Sequence, residues 1–203
     1  MTRRNRLERG FTLLEALIVI GIMFAVAGIA VFKSFGSMQS YQANSAQDTV
    51  AGQLRLARQL AISQRREVQV QFDAGTTPPT VSYTVLPRPK MAGDPVVPPV
   101  TVVLPRQVQY MQEPGVADTP MGFGTCSTAG ICIAGVSGGP PVMKFNSSGQ
   151  FTDSTGVNTI DGTVFLGIPS QKPTARAVTI LGATGRVRPY TYTGTGSTSG
   201  WNE

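Results

Sequence analysis

The sequence predicts an α+β fold in which one long N-terminal helix packs on a mainly antiparallel β-sheet domain. Three observations carry this reading. Positions 11–32 form an apolar run in which only Thr12 and Glu15 are clearly polar. A stripe at helical spacing follows, with no proline before Pro78. From Val68 onward the hydrophobic period changes from helical to two. The chain has 203 residues, enough for one globular domain plus an appendage. Only 14% of its residues are charged, and 23 Gly and 15 Pro mark the part beyond the helix as strands and turns and not a bundle.

The first element is the apolar run. At 1.5 Å per residue a helix over 11–32 is about 33 Å long, enough to cross a hydrocarbon core. Four arginines, Arg3, Arg4, Arg6 and Arg9, precede it, and Lys33 follows. That asymmetry keeps the N-terminus in the cytoplasm and sends the rest across the membrane. A secretory signal peptide, a plain anchor and a signal cut on its cytoplasmic side all compete for such a segment. The Ala25-Val26-Ala27 pattern lies inside the run with apolar residues beyond it, which disfavours conventional secretion. A plain anchor leaves Glu15 unexplained, since a carboxylate near the bilayer interior costs about 2.5 kcal/mol or more without a partner.

The helix continues past the run. Ala43, Ala46, Val50, Leu54, Ala57 and Ala61 recur at spacings of three and four. One helix over about 11–66 is expected, some 84 Å long, with Gly36 and Gly52 as mild weak points. Asn44, Gln47, Asp48, Gln59, Arg65 and Arg66 are expected on its wet face.

Strands come next. Val68, Val70 and Phe72 alternate with Gln69, Gln71 and Asp73, a half-buried strand. Further strands are expected at 81–86, 100–104, 142–145, 164–168, 177–181 and 187–192. Eight of the fifteen prolines fall between Pro78 and Pro105, which places edge strands and loops there and no central strand. The Gly, Ser and Thr of 194–203 predict a loose tail apart from Trp201.

Gly10-Phe11-Thr12-Leu13-Leu14-Glu15, behind a basic leader and ahead of the apolar run, resembles the processing signal of type IV pilins and type II secretion pseudopilins. The resemblance implies a type IV pilin-like fold, cleavage by a prepilin peptidase between Gly10 and Phe11, and N-methylation of Phe11. The new α-amino group supplies the partner that Glu15 lacks: in low dielectric, a neighbouring subunit's amine beside that carboxylate offsets its burial and fixes axial register. Small residues Ala16, Gly21, Ala25, Ala27, Gly28 and Ala30 leave room for close helix packing. Lys144-Phe145-Asn146-Ser147-Ser148-Gly149, the segment Arg176 to Ile180, Gly185-Arg186-Val187-Arg188 and the helical Leu54 to Ala61 are similar to GspH/FimT-type minor pilins and pseudopilins. The middle, about 76–141, carries no pattern of that family.

The expected organisation is a leader at 1–10, a membrane and assembly half-helix at 11–33, an amphipathic half-helix at 34–66, a β-rich domain at 67–193 and a tail at 194–203. The resemblance implies a non-enzymatic subunit of a type IV pilus or type II secretion pseudopilus. Its partners would be the prepilin peptidase, other pilins or pseudopilins and the inner membrane, with the β-domain periplasmic before assembly. No cofactor is expected.

The chemistry available agrees with a structural role. Histidine is absent and there are two cysteines, which removes His-based triads and His-ligated zinc. Cys126 and Cys132 enclose five residues on the oxidising side of the membrane, so a small disulfide loop is expected over free thiols or metal. Glycines at 122–124 and 135–139 lack the Lys-Ser/Thr of a phosphate loop and read as turns. Asp153 and Asp161 do not follow calcium-loop spacing. Of the net charge of +6, the first ten residues contribute half, four Arg against Glu8, so overall charge names no partner. Arg186 and Arg188, two apart on a strand, would project from one face. The G-R-x-R pattern resembles the DNA-binding motif of FimT-type minor pilins, with Arg176, Lys172, Arg106 or Lys90 extending a patch. DNA is therefore the alternative partner, against the plainer reading of solvated arginines after a turn.

Overall fold

The computed structural model describes residues 12–87, 97–123, 130–133, 142–194 and 200–203, with the side chains of 30–37 outside the description. It divides into two units, Met1–Met38 and Gln39–Glu203. In the first, the only described element is the opening of α1, whose full span is Leu13–Gln64. Its apolar side chains from Leu13 to Ile29 are uncovered, Leu13 being 82% and Phe24 75% exposed.

In the second unit α1 turns amphipathic. Ala43, Ala46, Val50, Leu54, Ala57 and Ala61 are all buried, as their spacing predicts. Gly52 does not interrupt the helix; nothing lies within 4 Å of where its Cβ would be. The helix ends slightly before the expected Arg66. Arg65 adopts a left-handed φ of 50°, its N–H donates to Ile62 O at 3.3 Å, and the N–H of Arg66 donates to Ala61 O at 3.1 Å. This pair of bonds satisfies the last carbonyls in a Schellman-type stop, built here on arginine where glycine is usual.

Among the described residues eleven strands follow: β1 Val68–Asp73, β2 Thr80–Val85, β3 Val100–Val103, β4 Gln109–Tyr110, β5 Ile131–Ile133, β6 Val142–Phe145, β7 Phe151–Thr152, β8 Gly162–Gly167, β9 Arg176–Leu181, β10 Arg186–Tyr192 and β11 Trp201–Asn202. They form two sheets. One runs β3-β2-β1-β6-β7, the other β11-β10-β9-β8-β4, with β5 sharing the β4 edge of β8. Every pairing is antiparallel, so the α+β expectation holds.

All seven expected strands are present. The proline-rich stretch places β3 at an edge, as anticipated, but β2 lies inside the sheet between β3 and β1. Its six residues contain no proline, and the prolines before and after it leave its backbone donors free to pair on both sides.

Registration across the sheets builds one main core under the helix. Val68, Val70 and Phe72 of β1 join Met143 and Phe145 of β6, Phe151 of β7, Val164 and Leu166 of β8, Val178 and Ile180 of β9, and Val187 of β10. They pack against Ala46, Val50, Leu54, Ala57 and Ala61. The second sheet is also covered on its other face, where Val116, Phe165, Ala175, Ala177, Tyr190 and Trp201 form a separate cluster. Burial on both faces explains why β8 and β9 read as near-continuous apolar runs and not as alternation.

Two further expectations fail. Gln47, assigned to the wet face, is 5% exposed, and its Nε2 donates to Ala177 O at 3.0 Å and Tyr190 O at 2.8 Å. Its position, four residues after Ala43 and four before Ala51, sets it on the buried side of the helix, and two strand carbonyls satisfy its amide. The tail is not loose where it is described. Trp201 is buried, its Nε1–H donates to Ala117 O at 2.9 Å, and β11 pairs with β10 through Thr191↔Asn202 and Tyr192↔Trp201.

Candidate functional site

The first candidate region is the start of α1. Gly10 and Phe11, the expected cleavage and methylation positions, lie outside the described residues, as does the 1–10 leader. Just after them Thr12 caps the helix. Its Oγ1 accepts the N–H of Glu15 at 3.2 Å, and its carbonyl accepts the first helical bond, from Ala16 N–H at 3.1 Å. Thr12 and Glu15 thus occupy the N-cap and N3 positions of a T-x-x-E sequence, the signature of a capping box. Sequence reasoning named Glu15 for its charge and overlooked Thr12, although the spacing was there to read. Glu15 sits in the first turn, where the helix dipole favours an anion.

The expected 11–32 span exceeds the described residues at its start and has its last side chains outside them. Among the described residues no helix is long and apolar enough to cross a membrane.

The second region gathers the segments that sequence resemblance had singled out separately. The turn after β6 is tied by Asn146, whose Oδ1 accepts N–H groups from Ser148 at 3.1 Å and Gln150 at 3.0 Å. Gly149 closes that turn at φ 81°. The turn between β9 and β10 closes at Gly185, φ 63°, whose N–H donates to Leu181 O at 2.7 Å. A Cβ on Gly185 would collide with the carbonyl oxygen of Gly149 and lie 3.0 Å from Arg58 Cδ and Nε. From the helix, Arg58 Nε–H donates to Gly149 O at 3.2 Å. The glycines of the two motifs and one helical arginine therefore meet at one junction, where two hairpin turns touch beneath α1. Their first role is architectural, since only glycine combines a left-handed φ with so close an approach.

The expected arginine patch does not form as drawn. Arg186 is exposed, and Arg188 shares its face of β10, opposite buried Val187. Arg188 is engaged, however. Its guanidinium lies 3.4 Å from Glu203 Oε2, and the Tyr190 side chain and the Glu203 carboxylate both favour its protonated form. Arg176 is 4% exposed and cannot extend a surface. It pairs with Leu166 across β8, and so faces the helix. There its Nε donates to Asn44 Oδ1 at 2.7 Å and its Nη1 to the carbonyls of Pro173 and Ala175 at 2.9 and 2.8 Å. Burial pulls its pKa down, and these three acceptors are what keep the buried guanidinium tolerable. Lys90 lies outside the described residues.

The remaining candidates resolve simply. Cys132 lies in β5 opposite Thr163, and no cysteine among the described residues is free; Cys126 lies outside them. Gly122 sits in a turn at φ 67°, with its N–H donating to Thr119 O, while 124 and 135–139 lie outside the description. Asp153 braces its own loop. Hydrogen bonds from the hydroxyl of Thr155 and the amide of Asn158, with the N–H groups of Gly156 and Val157, hold its carboxyl well below the usual carboxylate range. Asp161 accepts the N–H of Gly182 at 2.7 Å. Among the described residues no group of three His, Cys, Asp or Glu could hold a metal ion.

Residues 5–31 match the prokaryotic N-terminal methylation motif, so the match covers the residues on which the prepilin resemblance rests. No curated protein matches the chain significantly. Among solved structures, the minor pseudopilin EpsH from the type 2 secretion system of Vibrio cholerae is 16% identical, over 74% of this chain and 97% of that one, with a TM-score of 0.45. The type IV minor pilin FimU of Pseudomonas aeruginosa is 15% identical, over 78% and 95%, with a TM-score of 0.46.

Proposed function

We propose that this chain is a non-enzymatic minor pilin or pseudopilin of the GspH/FimT type, a subunit of a type IV pilus or type II secretion pseudopilus. The observation that carries the reading is the methylation motif at 5–31 running into a helix whose side chains at 13–29 are uncovered. Burying that surface in lipid, and then among like helices, is the driving force for anchoring and assembly. A prepilin peptidase cuts between Gly10 and Phe11 and the new amine is methylated. The chain waits in the bacterial inner membrane with its N-terminus cytoplasmic and its β-domain periplasmic. It then enters the filament beside other pilins or pseudopilins. Glu15 pairs with the amine of a neighbouring subunit, and Cys126 and Cys132 close a small disulfide loop.

A second reading, compatible with the first, is that the subunit captures DNA during uptake. Exposed Arg186 beside the hairpin turn favours it.

Mass spectrometry of protein purified from cells with an active prepilin peptidase tests the main reading. A mature chain beginning at methylated Phe11 supports it, and a chain retaining the arginine-rich leader overturns it. Glu15→Ala should still be processed yet enter filaments poorly; equal incorporation would remove the docking role.

A further inference from the structure

We propose that the cavity between the β1–β2 turn and the β3–β4 connection binds one uronic acid residue, a sugar ring that carries a carboxylate. The site belongs to the β-domain and stands apart from the processing and assembly of the helix. The cavity measures about 150 Å³. That is roughly ten times what a single water needs, enough for one sugar ring with its substituents.

The walls are tied before any ligand arrives. The Leu104 N–H donates to Pro79 O at 2.9 Å, which joins the two connections, and the Val108 N–H donates to Pro105 O at 3.0 Å, which closes the turn that carries Arg106. Tyr110 lines the cavity from within the core. It is 5% exposed, its ring meets Phe72 edge-on with centroids 5.9 Å apart, and its hydroxyl donates to Thr80 O at 3.1 Å. Burial, helped by the Asp73 charge, pushes that phenol well above its ordinary range, so this wall stays neutral.

The lining offers three chemistries that a uronic acid combines. Arg106 is the one charged side chain of the lining, and it belongs to neither ion pair among the described residues. A guanidinium takes a carboxylate in two parallel bonds. The hydroxyls of Thr76 and Thr77 and the amide of Gln109 both donate and accept, as ring hydroxyls do. Pro79 and the Tyr110 ring present carbon to the C–H face of a sugar. Asp73 is not part of the lining, and its Oδ1 accepts the Gly75 N–H at 2.8 Å. A bare anion would leave the hydroxyls and the amide unused, and a neutral sugar would leave the arginine unused.

The test uses the full chain in non-ionic detergent, titrated with glucuronate in a calorimeter. A small open site predicts a dissociation constant of about 1 mM. Glucose and the methyl ester of glucuronate keep the ring and lose the charge, and each should bind about tenfold more weakly or worse. Arg106→Gln should weaken glucuronate by a similar factor and Gln109→Leu roughly fivefold, while Arg55→Gln, outside the lining, changes nothing. Thermal melts superimposing on the parent chain exclude unfolding as the cause, and the ester and glucose arms need no variant at all. Tri-galacturonate binding more tightly than galacturonate supports the site with a polysaccharide as the source, and equal binding supports it with a free sugar acid. No heat from glucuronate at about 10 mM overturns the proposal. So does equal binding of glucose or of acetate, or an affinity unchanged by Arg106→Gln.

Discussion

Substituting Gly185 by alanine should unfasten the helix from the hairpin turns. At φ 63° an L-residue is strained by about 1–2 kcal/mol. The added methyl also meets the Gly149 carbonyl, so the turns must separate and the Arg58 bond to that carbonyl is weakened, about 1 kcal/mol more. The expected loss is about 2–3 kcal/mol, or roughly 5–10 °C in Tm for a chain of this size. Gly52→Ala is the matched control. That glycine is helical, exposed and unobstructed, so alanine there should stabilise by about 0.5–1 kcal/mol. The single tryptophan, Trp201, is buried and reports unfolding by fluorescence during urea titration in detergent. If Gly185→Ala melts with the parent chain, or both alanines act in the same direction, the turn-to-turn contact does not constrain the fold as argued.

Two further outcomes are expected. Gln47→Ala leaves the carbonyls of Ala177 and Tyr190 without their side-chain donor and should lower stability by about 1–3 kcal/mol, read from the same urea midpoints; an exposed glutamine would give almost nothing. Asp153→Ala should destabilise at neutral pH, with a pH signature. The folded carboxyl titrates below its unfolded value near 3.9, so its contribution is complete above that value and fades as pH falls through the lower folded one. The gap between variant and parent should therefore be constant from pH 7 to about 5 and close below about 4; a gap that widens in acid contradicts the sign.

The helix stripe and most of the seven longer strands were legible because each repeats a period over enough residues to outweigh composition, and β8 and β9 because they are near-continuous apolar runs. The strands that went unread are β4, β5, β7 and β11, two or three residues each, too short to show any period. Gln47 and Arg176 were misplaced for a related reason. Their spacing assigned them inward, but polar chemistry suggested water, and the partners that make burial tolerable come from distant parts of the chain. The glycine motifs were recognised as words without their meaning. Nothing in Gly149 or Gly185 alone says that the two turns touch; that follows only once β6, β9 and β10 are registered. The arginines show the opposite error. A spacing of two correctly put Arg186 and Arg188 on one face, yet Glu203 made them unequal.

If the proposed processing holds, the cap at Thr12 bears on the order of events. Among the described residues, the bonds that open the helix, from the Glu15 and Ala16 N–H groups to the Thr12 hydroxyl and carbonyl, lie after the bond between residues 10 and 11. Under the processing proposed above, trimming there would remove Arg3, Arg4, Arg6 and Arg9 and leave the Thr12 cap in place. On that proposal the segment serves twice, first as a topological address and afterwards as a capped structural rod.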